Sequence, residues 1–372
     1  MKVTRVSLFR KEVPMLCGKF TCSVEPGVSC GEVIIIKVET DEGIIGYGEA
    51  GSAGGYPNYA HGTLASTAEL IRRHLLGVDI DPTNLNAAQE KMRFMAGGNG
   101  SVKAAFDIAC WDIASKSLDR PIHALLGGKL QDSLPLHRVI PIGSPDSMAK
   151  EVEAWRMEGY NTFLIKAGLG SIHQDIERIQ AVLDKRLPGE EYTVDAAGRW
   201  RVDEALRVLK ALKNYDFIIE QPCCTYEECL ALRGRVDIPM KLDNAIHSVN
   251  DVLRAHADNA CELMALKLDK LGGFTPVKLA CDIIATAGMG VSLEAVWATE
   301  ISAAAVIHLG MTIPPENFLT STDLHNYSPL TVTTDDNIQV ENGRMFFRDE
   351  VIGLGIDVNT EILGEPDIVL HS

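Results

Sequence analysis

Four short apolar runs between residues 162 and 243 each end in a charged residue: Thr162-Phe163-Leu164-Ile165-Lys166, Tyr192-Thr193-Val194-Asp195, Phe217-Ile218-Ile219-Glu220 and Met240-Lys241-Leu242-Asp243. Segments with helical periodicity separate the runs, and further runs of the same kind occupy 134–140, 263–268, 291–294 and 318–322. Eight short strands that alternate with helices predict a parallel sheet, and at this length a closed βα barrel is the natural arrangement. The alternative, an open doubly-wound sheet, would favour a Gly-rich phosphate turn after an early strand, and the sequence contains no G-x-G-x-x-G or Walker pattern.

The first third of the chain has a different pattern. Residues 32–49 contain two β-branched runs around Asp41-Glu42-Gly43, which predicts a hairpin. Residues 64–76 predict a helix closed by Gly77, and Ser101 is expected to be the N-cap of a second helix that runs to about Lys116. Strands followed by helices indicate an α+β unit that ends at Leu125-Leu126-Gly127-Gly128.

A Gly-rich stretch, Gly51 to Gly55, precedes Tyr56. Such a stretch is either a solvated loop or a lid over a site, and both interpretations stay open because Gly-rich mobile loops serve both purposes.

The composition disfavours several classes of partner. The 372 residues include 35 Lys and Arg against 51 Asp and Glu, a net charge of −16, which repels nucleic acid and anionic membrane surfaces. No apolar run approaches the ~20 residues that cross a bilayer, and the N-terminus has no signal-peptide core. Nine cysteines without a CxxC pair or zinc spacing indicate reduced thiols in a cytoplasmic protein.

The candidate site lies at the predicted strand ends. Six of them carry a polar or charged residue at intervals of one βα unit: Lys166, Asp195, Glu220, Asp243, Lys267 and Glu294. The carboxyl ends of all barrel strands face one mouth, where active sites form. Three converging carboxylates, Asp195, Glu220 and Asp243, would repel one another without a cation, and an all-oxygen ligand set favours Mg²⁺ over zinc.

Lys166 comes before the three carboxylates and Lys267 after them, so the two lysines are expected on opposite sides of the metal. The metal and the other lysine should lower each lysine's pKa, which suits a pair of acid/base groups on two faces of one substrate carbon. The metal would bind a substrate carboxylate and stabilise the enediolate that forms when the α-proton leaves. Reprotonation then inverts the centre, or a β-leaving group is eliminated. The alternative is that both lysines only form salt bridges with these carboxylates.

These residues resemble the mandelate racemase/muconate lactonizing enzyme group of the enolase superfamily over nearly the whole chain. The motifs that carry the resemblance are the hairpin at 38–49, Ala109-Cys110-Trp111-Asp112-Ile113, Leu125-Leu126-Gly127-Gly128, Glu158-Gly159-Tyr160 through Lys166, Val194-Asp195-Ala196, Glu220-Gln221-Pro222, Leu242-Asp243, Leu266-Lys267 through Gly272-Gly273, and Gly353-Leu354-Gly355.

The resemblance implies an α/β fold, a modified (β/α)8, TIM-like (β/α)7β barrel over residues 129–355, with an α+β capping domain over 1–128 and a C-terminal segment, 356–372, that returns to the cap. It also implies one Mg²⁺ per subunit on Asp195, Glu220 and Asp243, bases at Lys166 and Lys267, and a small-molecule carboxylate substrate. We expect a homo-oligomer as well.

Ile219 to Leu230 is similar to the branch that acts on proline derivatives, which includes hydroxyproline betaine 2-epimerase and cis-3-hydroxyproline dehydratase. Tyr56 and Trp297 fit that branch as substrate-binding aromatics, since an aromatic face suits a cationic ring nitrogen. Packing or a rim position is an equal alternative for Trp297. Glu294 is expected either to pair with a substrate ammonium or to be a hydrogen-bond partner of Lys267.

Some positions depart from the family pattern. Leu164 stands where many relatives carry the first lysine of a Lys-x-Lys pair, Asn244 replaces a common Glu, and Ala295 stands where the branch has an aspartate. These departures leave three alternatives: a proline-type epimerase or dehydratase, another reaction of the same superfamily (sugar-acid dehydration, cycloisomerisation or dipeptide epimerisation), and a degenerate barrel without activity. The retained ligands and lysines count against the last alternative. Ser321-Thr322-Asp323 is half of the Asp-x-Asp pattern of dipeptide epimerases.

Overall fold

A three-stranded antiparallel meander opens the chain. The structure, a computed structural model, describes residues 1–16, 21, 29–51, 64–76, 80–94, 98–295 and 298–372. The first strands are β1 (Val3–Pro14), β2 (Cys30–Thr40) and β3 (Ile45–Gly51). In the β2–β3 hairpin, Glu39 pairs with Ile45, so the hairpin predicted at 32–49 is confirmed.

Helices cover this sheet. They are α1 (Leu64–Ile71), a π-helical turn (Arg72–Leu76), α2 (Leu85–Arg93), α3 (Gly100–Ser117) and α4 (Ile122–Leu125). The central helix α3 lies very close to β3, since a Cβ at Gly48 would lie 1.8 Å from the carbonyl oxygen of Ala105. Only glycine permits that approach. The helix predicted at 64–76 is thus an α-helix that continues as a π-helical turn, and Gly77 lies outside the described residues.

The expected N-cap at Ser101 is wrong. Helix α3 begins at Gly100, and Asn99 occupies the cap position with a φ of 55°. A Cβ at residue 100 would lie 2.3 Å from the carbonyl oxygen of Lys270. The start of the helix is therefore set by its contact with a later part of the chain, which a local capping pattern does not reveal.

Eight parallel strands form the second sheet, and consecutive strands are neighbours throughout. They are β5 (Arg138–Ile140), β6 (Thr162–Lys166), β7 (Glu191–Asp195), β8 (Ile218–Glu220), β9 (Met240–Leu242), β10 (Leu263–Lys267), β11 (Gly290–Glu294) and β12 (Phe318–Ser321). The connecting helices are α5 (Pro145–Met157), α6 (Ile172–Leu183), α7 (Val202–Ala211), α8 (Tyr226–Arg233), α9 (Val249–Ala257), α10 (Leu268–Leu271) with α11 (Phe274–Thr286), and α12 (Glu300–Gly310).

The eight-stranded sheet closes on itself. Leu136 forms a parallel bridge with Ser321, and the His137 backbone N–H donates to the Ser321 carbonyl at 3.0 Å. This contact joins the segment before β5 to β12, the last strand. The predicted (β/α)7β barrel with an α+β cap is confirmed.

The first predicted strand, 134–140, is two strands. Leu134–Pro135 forms β4, which pairs with β14 (Arg344–Phe347) beside β13 (Ile338–Glu341) in a separate small sheet. The chain then changes partners, because the Leu136 N–H donates to Gly343 and the His137 N–H donates to Ser321. A continuous apolar run does not show such a change of neighbours.

After the barrel come a 3₁₀ turn (Leu324–Tyr327), α13 (Thr360–Leu363) and β15 (Ile368–His371). Strand β15 pairs with β1, with His371 opposite Arg5, so the C-terminus returns to the capping sheet. The boundaries expected at residues 128 and 355 stay predictions. Within the described ranges, no helix combines the length and apolar character that crossing a bilayer requires.

Candidate active site

The six predicted rim residues lie at one end of the barrel. Parallel register places Lys166 beside Asp195 and Asp195 beside Glu220, and it places Lys267 beside Glu294. Asp243 directly follows β9. Because the strands are parallel, all six side chains belong to the carboxyl end, where barrel active sites form. The structure therefore brings the whole predicted set together.

The two lysines lie on opposite sides of this end. Lys166 ends β6 and Lys267 ends β10, which are four strands apart in a closed sheet of eight. The carboxylates of the intervening strands β7, β8 and β9 lie between them. A small molecule bound there has one ammonium group on each side.

Each lysine contacts a carboxylate. Lys166 Nζ lies 2.6 Å from Asp195 Oδ2, and Lys267 Nζ lies 2.6 Å from Asp243 Oδ2 and 3.3 Å from Glu294 Oε2. The salt bridges considered as an alternative are thus present, and they coexist with the opposed placement that acid/base chemistry requires. Burial of Glu294 disfavours its charged form, but the charges of Lys267 and Lys241 outweigh it and hold the pKa of Glu294 at about 2.

Lys270 holds the third carboxylate from another direction. Its Nζ donates to the Asp243 carbonyl oxygen at 2.6 Å and to Oδ1 at 2.9 Å. Burial opposes ionisation of Asp243, yet Lys267 and Lys270 together hold its pKa well below the usual range. Asp243 is therefore a fixed anion at the rim.

Lys241 is a site residue that was not predicted from the sequence. Its side chain is fully buried, and Nζ lies 2.7 Å from Glu220 Oε2 and 3.8 Å from Glu294 Oε1. A lysine inside an otherwise apolar strand was the available signal. Alternate residues of a strand share one face, so Lys241 points to the same side as Asp243. It is a buried cation beneath two acidic residues of the rim.

Gln221 ties two strand ends together. Its Oε1 accepts hydrogen bonds from the backbone N–H groups of Asp243 (3.1 Å) and Ala245 (3.2 Å), and its Nε2 donates to the Cys223 carbonyl at 2.9 Å. The residue is fully buried and has a φ of 36°, in the left-handed region. This amide fixes the position of Asp243 relative to the neighbouring Glu220. The Glu-Gln-Pro motif marked the position but not this role.

The carboxylates fit a hard cation by their chemistry. Burial raises the pKa of Glu220 to about 8; Lys241 opposes this, and the negative charges of Asp195, Glu294 and Asp243 add to it. Converging, mutually repelling oxygen donors suit Mg²⁺.

Within the described part of the chain, however, no three His, Cys, Asp or Glu side chains are already arranged as a metal-binding group. The ammonium groups contact the carboxylates instead, as the pairs of Lys166 with Asp195 and of Lys267 with Asp243 show.

The predicted substrate-binding residues have different outcomes. Tyr56 and Trp297 lie outside the described residues, as does most of the Gly-rich stretch. Glu294 contacts Lys267, and this contact is one of the two roles expected for it from the sequence. Leu164 is buried in β6, and Asn244 is buried with its Oδ1 unpaired.

Two family models match the chain. The model described as "Mandelate racemase / muconate lactonizing enzyme, N-terminal domain" matches residues 10–127, and the model described as "Enolase C-terminal domain-like" matches residues 147–362. Together they cover most of the sequence.

Among curated relatives, a cis-3-hydroxy-L-proline dehydratase from Roseibium aggregatum is 36% identical over 98% of this chain and 99% of its own length. An N-succinyl-L-Arg/Lys racemase from Bacillus cereus is 29% identical over 98% of each chain. Both similarities extend across the cap and the barrel.

Solved structures agree with the fold. A mandelate racemase/muconate lactonizing enzyme from Roseovarius nubinhibens superposes with a TM-score of 0.93 at 32% identity, and covers 100% of this chain and 99% of that one. A structure from the same organism described as putative in this family and complexed with magnesium has a TM-score of 0.91 at 30% identity, over 100% of both chains.

Proposed function

Because this chain belongs to the mandelate racemase/muconate lactonizing enzyme group of the enolase superfamily, we propose that it removes the α-proton of a proline-type carboxylate and eliminates water from a cis-3-hydroxyproline. The chain is an enzyme of this superfamily. The observation that carries the proposal is the placement of Lys166 and Lys267 at opposite sides of the barrel mouth with three carboxylates between them.

Asp195, Glu220 and Asp243 would hold Mg²⁺, consistent with their oxygen-only donor set and mutual repulsion. When bound, Mg²⁺ supplies positive charge beside the substrate carboxylate and makes the α-proton more acidic. Gln221 and Lys270 hold Asp243 in place for this role. Lys166 and Lys267 then act on the substrate from its two faces.

The stereochemistry of the substrate matches two opposed lysines. In a proline ring, the carboxylate and the hydrogen on C2 lie on opposite faces. A hydroxyl on C3 that is cis to the carboxylate therefore lies opposite the α-hydrogen. One lysine takes the α-proton from its face, the C2–C3 double bond forms, and the other lysine gives its proton to the departing hydroxyl, which leaves as water.

The same arrangement permits inversion at C2. If no leaving group is present on C3, the second lysine returns a proton to C2 from the opposite face, which converts one antipode to the other. Epimerisation is thus the second candidate function, carried by the same pair of lysines.

Dipeptide epimerisation fits less well. Asp323 Oδ2 accepts from the Tyr160 hydroxyl at 3.1 Å and lies 3.4 Å from Arg138 Nη1. Ser321 donates its hydroxyl to the Leu293 carbonyl at 2.8 Å. Asp323 Oδ2 and the Ser321 hydroxyl are therefore already engaged in internal contacts. The homo-oligomer and the cytoplasmic location expected from the sequence stay predictions.

The test is turnover in D₂O with Mg²⁺, followed by NMR. We expect the protein to convert cis-3-hydroxy-L-proline to an unsaturated ring that tautomerises to a cyclic imine, and to act poorly on the trans isomer. Lys267→Ala should lose the elimination. The matched control is Lys278→Ala, which removes a lysine that pairs with its helical neighbour Asp282, and it should be fully active. Equal turnover of both isomers, or an unimpaired Lys267→Ala variant, would contradict the proposal.

A further inference from the structure

Asp269 is a buried carboxylate that no side chain of the described residues hydrogen-bonds. It lies two residues after Lys267, at the start of α10, and the residue is 9% exposed. Oδ1 and Oδ2 have no side-chain hydrogen bond or ion pair within the described residues, and the charges of Lys267 and Lys270 and the nearby backbone N–H groups favour the ionised form against the effect of burial on its pKa. Buried carboxylates in proteins are normally hydrogen-bonded or paired with a cation. Both oxygens are thus available to a ligand.

The side chain lines a cavity between the cap and the barrel mouth. The cavity has a volume of about 10 Å³ and is bordered by Glu49 and Gly51 of the cap and by Glu294 and Ala295 of the rim. That volume is close to the space of one water molecule. It admits an N–H group and excludes bulkier substituents.

The other two acids of this cavity are already engaged. Glu49 accepts hydrogen bonds from the backbone N–H of Thr299 at 3.0 and 3.2 Å and from its hydroxyl. Glu294 lies against Lys267 and Lys241, and its Oε1 alone lacks a hydrogen bond. Among the described residues of this cavity, Asp269 is therefore the carboxylate with both oxygens left for a donor.

Asp269 also borders an open cavity of about 410 Å³ on its other side, together with Lys103, His247 and Lys270. Lys103 and Lys270 there disfavour a positively charged ligand. A cation is favoured instead on the side of Glu294, which Lys267 and Lys241 hold in its charged form. This negative charge favours a positive group near the reacting centre.

We propose that Asp269 binds the ring ammonium of the substrate and thereby selects amino acids whose nitrogen carries N–H groups over N,N-dimethyl betaines. This inference rests on the proposed function, because the ring nitrogen is bonded to the carbon that the lysines act on. A proline-type nitrogen has two N–H donors, which match two free carboxylate oxygens. A quaternary nitrogen has none, and its methyl groups exceed the cavity.

The test compares equilibrium binding of three ligands to the Mg²⁺-loaded protein: L-proline, its N,N-dimethyl betaine and the ring-oxygen analogue tetrahydrofuran-2-carboxylate. L-Proline should bind at least about tenfold more tightly than the other two, since a charged hydrogen bond contributes roughly that factor or more. Asp269→Asn should weaken L-proline binding about tenfold or more and change the affinity for the oxygen analogue less than about twofold.

Two further variants serve as a replacement for Asp269→Asn and as a control. Asp269→Ser repeats the test if the Asn variant does not fold, with circular dichroism as the check on folding. As a control outside the cavity, Lys278→Ala removes a lysine that pairs with Asp282, and it should leave the preference for L-proline unchanged.

The outcomes separate the inference from the proposed function. Asp269-dependent binding of L-proline without turnover of any proline derivative would support the inference and refute the proposed reaction. Equal weakening for all three ligands in Asp269→Asn, or a wild-type protein that prefers the betaine or binds no amine, would overturn the role of Asp269.

Discussion

The stability of the protein should fall between pH 5 and pH 8 because of Glu49, and Glu49→Gln should remove that part of the decline. Glu49 is buried at the end of β3 and accepts hydrogen bonds from Thr299 at the start of α12. It therefore joins the cap to the barrel. Burial raises its pKa from 4.5 to about 7, although the hydrogen bonds from Thr299 lower it.

The direction follows from proton linkage. Between pH 4.5 and about 7, the folded chain keeps the proton on Glu49 and the unfolded chain has released it. The folded state then binds more protons, so the free energy of unfolding falls as pH rises and levels off above about 7. The difference of about 2.5 pH units corresponds to roughly 3 kcal/mol at 1.36 kcal/mol per unit.

Urea unfolding of wild type and Glu49→Gln at pH 5, 6, 7 and 8 measures this effect. Gln stays neutral and can still accept from Thr299, so the two proteins should be similar at pH 5, and the variant should become more stable than wild type by up to about 3 kcal/mol at pH 8. Asp107, whose pKa burial also raises to about 7, contributes equally to both proteins. Parallel stability curves across this range would refute the reasoning.

Three other changes have defined outcomes. Lys241→Met leaves the buried carboxylate of Glu220 without its cation and leaves Glu294 with Lys267 alone, so it should lower the free energy of unfolding at pH 8 by about 3–5 kcal/mol in urea titrations; a loss below about 1 kcal/mol would count against the pair of Lys241 and Glu220. Gln221→Ala frees two backbone N–H groups, so isothermal titration calorimetry should show about tenfold weaker Mg²⁺ binding, and unchanged affinity would contradict the clamp. Gly100→Ala places a Cβ 2.3 Å from the Lys270 carbonyl oxygen and should cost about 1–3 kcal/mol in thermal unfolding, whereas an unchanged melting temperature would show that cap and barrel separate freely.

The barrel could be predicted from the sequence because its signal is local and repeated. Each unit contributes one apolar run and one helical segment, and the run ends at the residue that later lies at the rim, as in 162–166 and 263–267. The intervals between Lys166, Asp195 and Glu220 follow from that repetition. Parallel strands then bring these positions to the same end without further information.

The errors arise where a distant contact decides the local structure. The run 134–140 changes partners at Leu136, which pairs with Ser321 from the last strand. The start of α3 depends on the carbonyl oxygen of Lys270, 170 positions later. Neither contact can be recognised from the residues that surround it in the sequence.

The residues that support the site could not be predicted from the sequence either. Gln221 and Lys270 act on Asp243 through side-chain hydrogen bonds whose partners are known only from the fold. Asp269 is notable because no side chain of the described residues hydrogen-bonds to it, which only the packed structure shows. Of these supporting residues, Lys241 could have been recognised in the sequence, because it is a charged residue within an apolar strand.

The claim that the two lysines act on opposite faces of C2 is tested most directly by the stereospecificity of α-deuterium exchange in single-lysine variants. With L- and D-proline in D₂O and Mg²⁺, Lys166→Ala should exchange the α-proton of one antipode and Lys267→Ala that of the other, because the two amines face opposite sides of C2. If both variants lose or retain exchange with the same antipode, the lysines do not act from two faces, and the account of the site is wrong.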